Sequence, residues 1–214
     1  MLKKVVLTIT VLSFAAYSYG QGTIWISTSS LTPATAKVSD APEKGGALLG
    51  ATGTENRTNF FAQIYWAAGS VTSSSSLASI GPAVNFRSGT VNSGFIQETG
   101  VTTLGYNLDT VGNNYVTMAT PTGGGAVTVQ LRAWWGGGTL FTSYYESGAN
   151  ANQRYGASPL LYLAATGSPN GQPPTLPVYM DGLGAFSLKM VPEPTTMALA
   201  GLGIAALLIF RRRK

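Results

Sequence analysis

Two residue types that the chain lacks, histidine and cysteine, limit its chemistry more than any residue that it contains. Without them, the chain's own side chains cannot assemble a Ser-His-Asp or a Cys-His nucleophile. The usual structural zinc sites need thiolate or imidazole ligands and are excluded for the same reason. We therefore expect no metal site and no cofactor.

Paired carboxylates are a catalytic arrangement that this composition leaves open, because a glycosidase needs only two of them. Asp181 precedes Gly182 in a predicted tight turn, and Asp40 lies beside Pro42 in a predicted loop. The acidic residues of the region 21–190 are scattered and form no recognisable motif: Asp40, Glu43, Glu55, Glu98, Asp109, Glu146 and Asp181. We expect a protein that is not an enzyme, with a glycoside-acting enzyme as the weaker alternative.

Oxygen-bearing side chains are concentrated between residues 107 and 114, at Asn107, Asp109, Asn113 and Asn114. Such a set is a candidate for Ca²⁺, but one carboxylate with three amides is a weak ligand set, and the loop pattern of an EF-hand is absent. A turn stabilised by Asn and Asp is the favoured interpretation.

Aromatic side chains provide the most specific candidate binding site, because flat exposed rings stack on sugars. Strand-face assignment leaves Trp25, Tyr65 and Trp134 on the side predicted to face solvent. These residues are the candidate carbohydrate-binding residues, with exopolysaccharide as the candidate ligand. The competing interpretation is that they pack inside the fold, as aromatic residues in strands usually do.

The basic residues do not indicate nucleic-acid binding, although the net charge is +5. The region 21–190 carries seven basic and seven acidic residues, so its own net charge is zero. The excess comes from Lys3 and Lys4 and from the cluster at 211–214. We expect no nucleic-acid partner.

Short alternating runs, separated by Gly, Pro, Asn and Ser, must position these side chains. The pattern predicts one all-β domain over 21–190, a β-sandwich or jelly roll. In run 126–135, Val127, Val129, Leu131, Ala133 and Trp135 are predicted to face the core, whereas the opposite face is polar except for Trp134. The other predicted strands are 23–28, 59–66, 83–86, 94–97, 115–119, 141–146, 160–164 and 185–191. In run 59–66, Phe60, Ala62, Ile64 and Trp66 are predicted to face the core. In run 185–191, the residues predicted to face in are Phe186, Leu188 and Met190, and those predicted to face out are Ser187 and Lys189.

The first 20 residues have the layout of a signal peptide. Lys3 and Lys4 precede an apolar run over 5–17, and Ser18-Tyr19-Gly20 offers small residues before a cleavage bond at Gln21. We expect a signal helix that is removed by signal peptidase after engaging the secretion machinery.

The other end combines a proline-containing strip, an apolar run and a basic cluster. The strip is Val191, Pro192, Glu193 and Pro194, and its two prolines favour an extended backbone. The apolar run over 196–210 predicts a short transmembrane helix of about 22 Å. The stop-transfer cluster is Arg211, Arg212, Arg213 and Lys214, which should stay cytoplasmic, so that the body lies outside.

The order of these three features resembles the PEP-CTERM sorting signal of bacterial exported proteins. The resemblance covers 191–214 and implies recognition by an exosortase-type membrane enzyme. It implies an exported chain, anchored in the inner membrane as a precursor and then moved to the cell surface or extracellular matrix. For the body, it leaves a non-catalytic surface or matrix protein as the expected role, with a carbohydrate-binding module for exopolysaccharide as the alternative.

Overall fold

The fold is taken from a computed structural model of the 214-residue chain. The described residues are 20–25, 36–51, 59–87, 93–96, 107–108, 114–120, 124–136, 144, 153–168, 173–191, 199 and 201–204. Of the predicted signal helix over 1–20, residues 1–19 lie outside these ranges, and Gly20 is described as the first residue of a strand. Most residues of the predicted membrane helix also lie outside them.

The described part of the chain is mostly β-structure, which confirms the all-β prediction in outline. Many of its strands fall on the alternating apolar runs, because β-branched and aromatic side chains fit a pleated, half-buried surface. The strands are β1 (Gly20–Trp25), β2 (Val38–Ser39), β3 (Phe60–Ala68), β4 (Ala78–Val84), β5 (Asn107–Leu108), β6 (Asn114–Thr120), β7 (Val127–Trp135), β8 (Arg154–Ala157), β9 (Leu161–Leu163), β10 (Phe186–Ser187) and β11 (Lys189–Met190). Two short 3-10 turns, Pro42–Lys44 and Ser74–Ser76, lie between them.

A six-stranded antiparallel sheet forms the largest part of the described fold. Its strand order is β11-β8-β7-β3-β4, and β9 pairs with β7 beside β8. β3 and β7 pair continuously from Phe60 opposite Trp135 to Ala68 opposite Val127. β7 is therefore central, with β3 on one side and β8 and β9 on the other.

Two smaller sets of paired strands accompany this sheet. One is the antiparallel sheet β1-β6-β5, and the other is the parallel pair β10-β2. Buried side chains from all three sets belong to one hydrophobic cluster, for example Ile24 of β1, Val38 of β2, Ile64 of β3, Met118 of β6 and Leu131 of β7. A single domain requires one shared core, and the described strands share one. The extent of the domain over 21–190 and its sandwich or jelly-roll arrangement stay predictions.

Gly94 forms backbone hydrogen bonds to two other segments of the chain, at Val38 of β2 and at Leu49. Its carbonyl accepts a hydrogen bond from the Val38 N–H at 2.8 Å, and its own N–H donates to the Leu49 carbonyl at 2.7 Å. A Cβ at this position would lie 3.0 Å from a methyl of Leu48, and φ is +83°. Both the close approach and the left-handed backbone favour glycine here.

The core face of β3 is predicted correctly, whereas the prediction of a solvent-facing second side of the sheet is wrong. Phe60, Ala62 and Ile64 are buried as expected, and Trp66 is half-buried against the same core. Thr128, Gln130, Arg132 and Trp134 of β7, however, are buried as well, although alternation had placed them outside. The sheet is covered on both faces at its centre, and alternation cannot detect a covering layer that comes from distant segments.

Candidate functional site

The last strands of the described body lead directly into the proline-containing strip. β10 pairs in parallel with β2, Leu188 follows and is fully buried, and β11 then pairs antiparallel with β8. Lys189 lies opposite Tyr155, and Met190 lies opposite Arg154. As predicted, Leu188 is buried while Ser187 and Lys189 are exposed; Phe186 and Met190, also predicted to face in, are half-buried.

Backbone pairing continues to Val191, the first residue of the strip. The Val191 N–H donates to the Gln153 carbonyl at 2.9 Å, which extends the β8–β11 ladder by one residue. A residue before proline is restricted to extended conformations, so Val191 is suited to a strand end. We call Lys189, Met190 and Val191, paired with 153–155, the junction. Pro192, Glu193 and Pro194 lie outside the described residues, as do Arg211, Arg212, Arg213 and Lys214.

A buried ion pair holds β8, the strand against which the junction pairs. The Arg154 Nη1 donates to Asp40 Oδ2 at 2.5 Å, and these side chains are 3% and 10% exposed. Asp40 Oδ1 accepts the Ala41 N–H at 2.7 Å. The Arg154 guanidinium also lies 4.9 Å from the Phe60 ring centroid and 5.2 Å from that of Trp135. The pair thus connects the end of β2 to the start of β8, with apolar rings around the cation.

A second buried cation, Arg132, organises the other face of the sheet. Its guanidinium lies 3.9 Å from the Tyr65 ring centroid and 5.2 Å from that of Tyr144. Its Nε donates to Gln130 Oε1 at 2.9 Å, and its Nη2 donates to the Ser74 carbonyl at 2.6 Å. The Ser74–Ser76 turn and Tyr144 therefore contribute to the layer that covers β7.

The three candidate sugar-stacking residues are buried, so the exposure predicted for them is wrong. Trp25 is 6% exposed, Tyr65 is 4% exposed and Trp134 is 0% exposed. Trp25 stacks on Tyr179, with centroids 5.8 Å apart, and Trp134 stacks on Phe61 at 6.0 Å. Tyr65 lies against the Arg132 guanidinium, as described above. These rings fill the interior, because their large apolar area stabilises the fold most when it is removed from water.

The described carboxylates occupy structural or exposed positions. Asp40 belongs to the buried ion pair, while Glu43 is exposed in the Pro42–Lys44 turn and Asp181 is exposed in a turn before Gly182. Within the described ranges, no three His, Cys, Asp or Glu side chains come together to hold a metal ion. Of the candidate calcium residues, Asn107 and Asn114 belong to the paired strands β5 and β6, whereas Asp109 and Asn113 lie outside the described ranges.

Sequence patterns missed the strand that matters most at this site. β8 is only four residues long, and its Arg154 and Gly156 do not resemble an alternating apolar run. Gly156 is required by packing, because a Cβ there would lie 2.8 Å from the Ser187 carbonyl oxygen. The short sequence Arg154-Tyr155-Gly156-Ala157, between turn-forming segments, was the available signal.

Of the predicted membrane segment, Leu199 and residues 201–204 are described, and they are helical. Leu199, Leu202 and Ile204 are 73%, 68% and 61% exposed. Across the described ranges, no helix reaches the length and apolar character required to cross a bilayer.

Comparison with known proteins assigns the tail of the chain, at residues 191–214. No curated protein matches the chain, and no solved structure matches it. One family model matches, the PEP-CTERM protein-sorting motif, and the match covers residues 191–214. The match begins at Val191, the last residue of the described segment that pairs with β8. The chain therefore carries a PEP-CTERM protein-sorting motif at residues 191–214, which is the mark of an exported protein sorted by an exosortase.

Proposed function

We propose that this protein is a non-catalytic component of the bacterial cell surface or extracellular matrix, delivered there by processing of its tail. The observation that carries the proposal is the junction, where a two-stranded ladder leads from a buried core directly into the sorting motif. The part of the protein that is sorted is thus a folded β domain, which is joined to the sorting motif without a long linker.

The delivery route has two steps. The signal peptide over 1–20 directs the chain to the secretion machinery and is removed by signal peptidase. The segment 196–210 then holds the precursor in the inner membrane, with 211–214 on the cytoplasmic side. An exosortase-type enzyme acts on the strip at 191–194, and the body is transferred to the cell surface or matrix.

The use of charge inside the body supports a structural role. Arg154 and Asp40 neutralise one another beneath apolar rings, and Arg132 is held between two tyrosines and a backbone carbonyl. Buried polar groups that are satisfied by one another specify a unique packing. These side chains stabilise the body, and their geometry favours a scaffold over a binding cleft.

Carbohydrate binding through Trp25, Tyr65 and Trp134 is not part of the proposal, because these rings are inside the fold. A glycan array probed with the purified mature protein tests the role that remains. We expect no glycan-specific signal above that of a matched, heat-denatured sample. Saturable binding to one polysaccharide class would contradict the scaffold role and reopen the alternative.

Replacement of Pro192, Glu193 and Pro194 by alanine tests the delivery route. We expect the variant to accumulate as precursor in the inner-membrane fraction, because the extended strip is the recognition element. A matched control replaces Pro173 and Pro174, which lie in an exposed segment of the body, by alanine. This control should mature normally. Equal maturation of both variants would refute the recognition role of the strip.

A further inference from the structure

We propose that the junction acts as a clasp: Lys189, Met190 and Val191 must separate from β8 before the tail can be cut. The inference rests on the proposed sorting function and adds a conformational step to it. The fold, as well as the motif, then controls when the protein is processed.

The first argument is that the backbone groups a processing enzyme needs are already in use. Enzymes and binding domains that read an extended peptide commonly pair with its backbone as an added strand. At Val191 the N–H is bonded to the Gln153 carbonyl. Lys189 lies two residues earlier opposite Tyr155, so its N–H and C=O point toward β8 in the same way. The backbone edge of Lys189 and Val191 that faces β8 is therefore occupied.

The second argument concerns the side chains next to the motif. Met190 is half-buried on the core side of the sheet, and Leu188 is fully buried. An enzyme that grips the residues just before Pro192 cannot surround them while they lie on the body. Residues 189–191 have to separate from β8 before both of their faces become accessible.

The third argument concerns how many residues separate from β8 when the clasp opens. β11 is a two-residue edge strand, and short edge ladders open at low cost in free energy. Leu188 belongs to the hydrophobic core cluster, and its N–H donates to the Ser39 carbonyl at 2.9 Å. Opening can therefore proceed through Lys189 and stop at Leu188, which leaves the core intact.

A disulfide across the clasp tests this inference, because the chain contains no cysteine of its own. Lys189→Cys with Tyr155→Cys places two thiols at directly opposite positions. Opposite residues that exchange hydrogen bonds have Cα atoms about 5.5 Å apart, which suits a disulfide. The full-length double variant is expressed in cells that process the wild-type chain, and thiol labelling verifies oxidation.

We expect the oxidised double variant to remain as precursor, and a reductant added to the cells to restore mature protein. Each single-cysteine variant should mature like the wild type. The control is Thr23→Cys with Thr117→Cys, at directly opposite positions of β1 and β6 in another sheet. This control should mature in the oxidised form. Maturation of the oxidised 155–189 variant at the rate of the single variants would overturn the clasp.

Lys189→Pro tests the clasp in the opposite direction, because proline removes one ladder donor. We expect faster conversion of precursor to mature protein in a pulse-chase experiment. Unchanged or slower conversion would contradict the inference, since it would mean that the enzyme uses the paired strand. If the wild-type chain itself is never processed in these cells, the proposed sorting function fails instead, and the two failures are thus distinguishable.

Discussion

The buried pair of Asp40 and Arg154 gives the sharpest prediction about the body, because it supports the strand on which the junction rests. Asp40→Asn keeps the shape of the side chain but removes its charge. The Arg154 cation would then remain 3% exposed between Phe60 and Trp135 without its carboxylate. Such a cation is costly, since it has lost water on folding and no longer gains the Coulomb attraction in return.

The size of the effect follows from the burial of both partners. Removing one member of a buried pair costs about 3–5 kcal/mol. The asparagine amide oxygen can still accept one hydrogen bond from Arg154, which places the expected loss near the lower end, at about 3 kcal/mol. For a domain of this size, a loss of about 3 kcal/mol lowers the melting temperature by roughly 6–12 °C.

Thermal and urea unfolding of the purified full-length chain, followed by tryptophan fluorescence, measures this loss. Glu43→Gln is the matched control, because Glu43 is an exposed carboxylate in the turn just after Asp40. The control should change stability by less than about 0.5 kcal/mol. The double variant Asp40→Asn with Arg154→Met should be more stable than the sum of its single losses predicts, because no unpaired charge remains. If Asp40→Asn were as stable as Glu43→Gln, the assignment of a structural ion pair would be refuted.

Three further substitutions test other parts of the fold. Trp134→Ala should cost about 3–5 kcal/mol because the ring is fully buried, whereas Tyr162→Ala, at a side chain that is 51% exposed, should change stability little; equal losses in urea unfolding would contradict the burial described. Arg132→Lys should cost about 1–3 kcal/mol, since an ammonium cannot reproduce the planar contacts with two tyrosines and the bonds to Gln130 and Ser74; thermal stability like that of the wild type would argue against this packing. Gly94→Ala should destabilise more than Gly45→Ala, because both positions have positive φ but only Gly94 is crowded, so equal melting temperatures would refute the crowding argument.

Much of the strand pattern could be predicted from the sequence, because alternation reports a core face directly. The runs at 59–66 and 126–135 correspond to β3 and β7, and the inward residues of β3 are correct. The last run, 185–191, divides into β10 and β11 at Leu188, since the chain moves there from pairing with β2 to pairing with β8. A change of partner leaves the alternation intact and is invisible in it.

The alternation of apolar and polar residues predicted the wrong exposure where burial depends on contacts between segments distant in sequence. Tyr65 and Trp134 alternate with core residues, and a two-state pattern must place them outside. They are buried because segments distant in sequence, including Ser74 and Tyr144, cover the second face of the sheet around Arg132. The same limit hid β8, whose role depends on its partners more than on its composition.

The sorting motif was the most predictable feature, because proline strip, apolar run and basic cluster are contiguous in sequence and need no fold to be recognised. What the sequence could not predict was its attachment. Pairing of Val191 with Gln153 depends on a strand that lies nearly 40 residues earlier in the chain. The way in which the β domain is connected to the sorting motif is thus visible only in the structure.

Delivery by processing of the tail is tested most directly by peptide mapping of the protein recovered from the cell-surface fraction. The inner-membrane precursor is mapped alongside it. We predict that surface protein retains peptides that include β8 and β11 but lacks any peptide that ends at Lys214. The precursor should contain both. Surface protein that still ends at Lys214 would contradict delivery by tail processing.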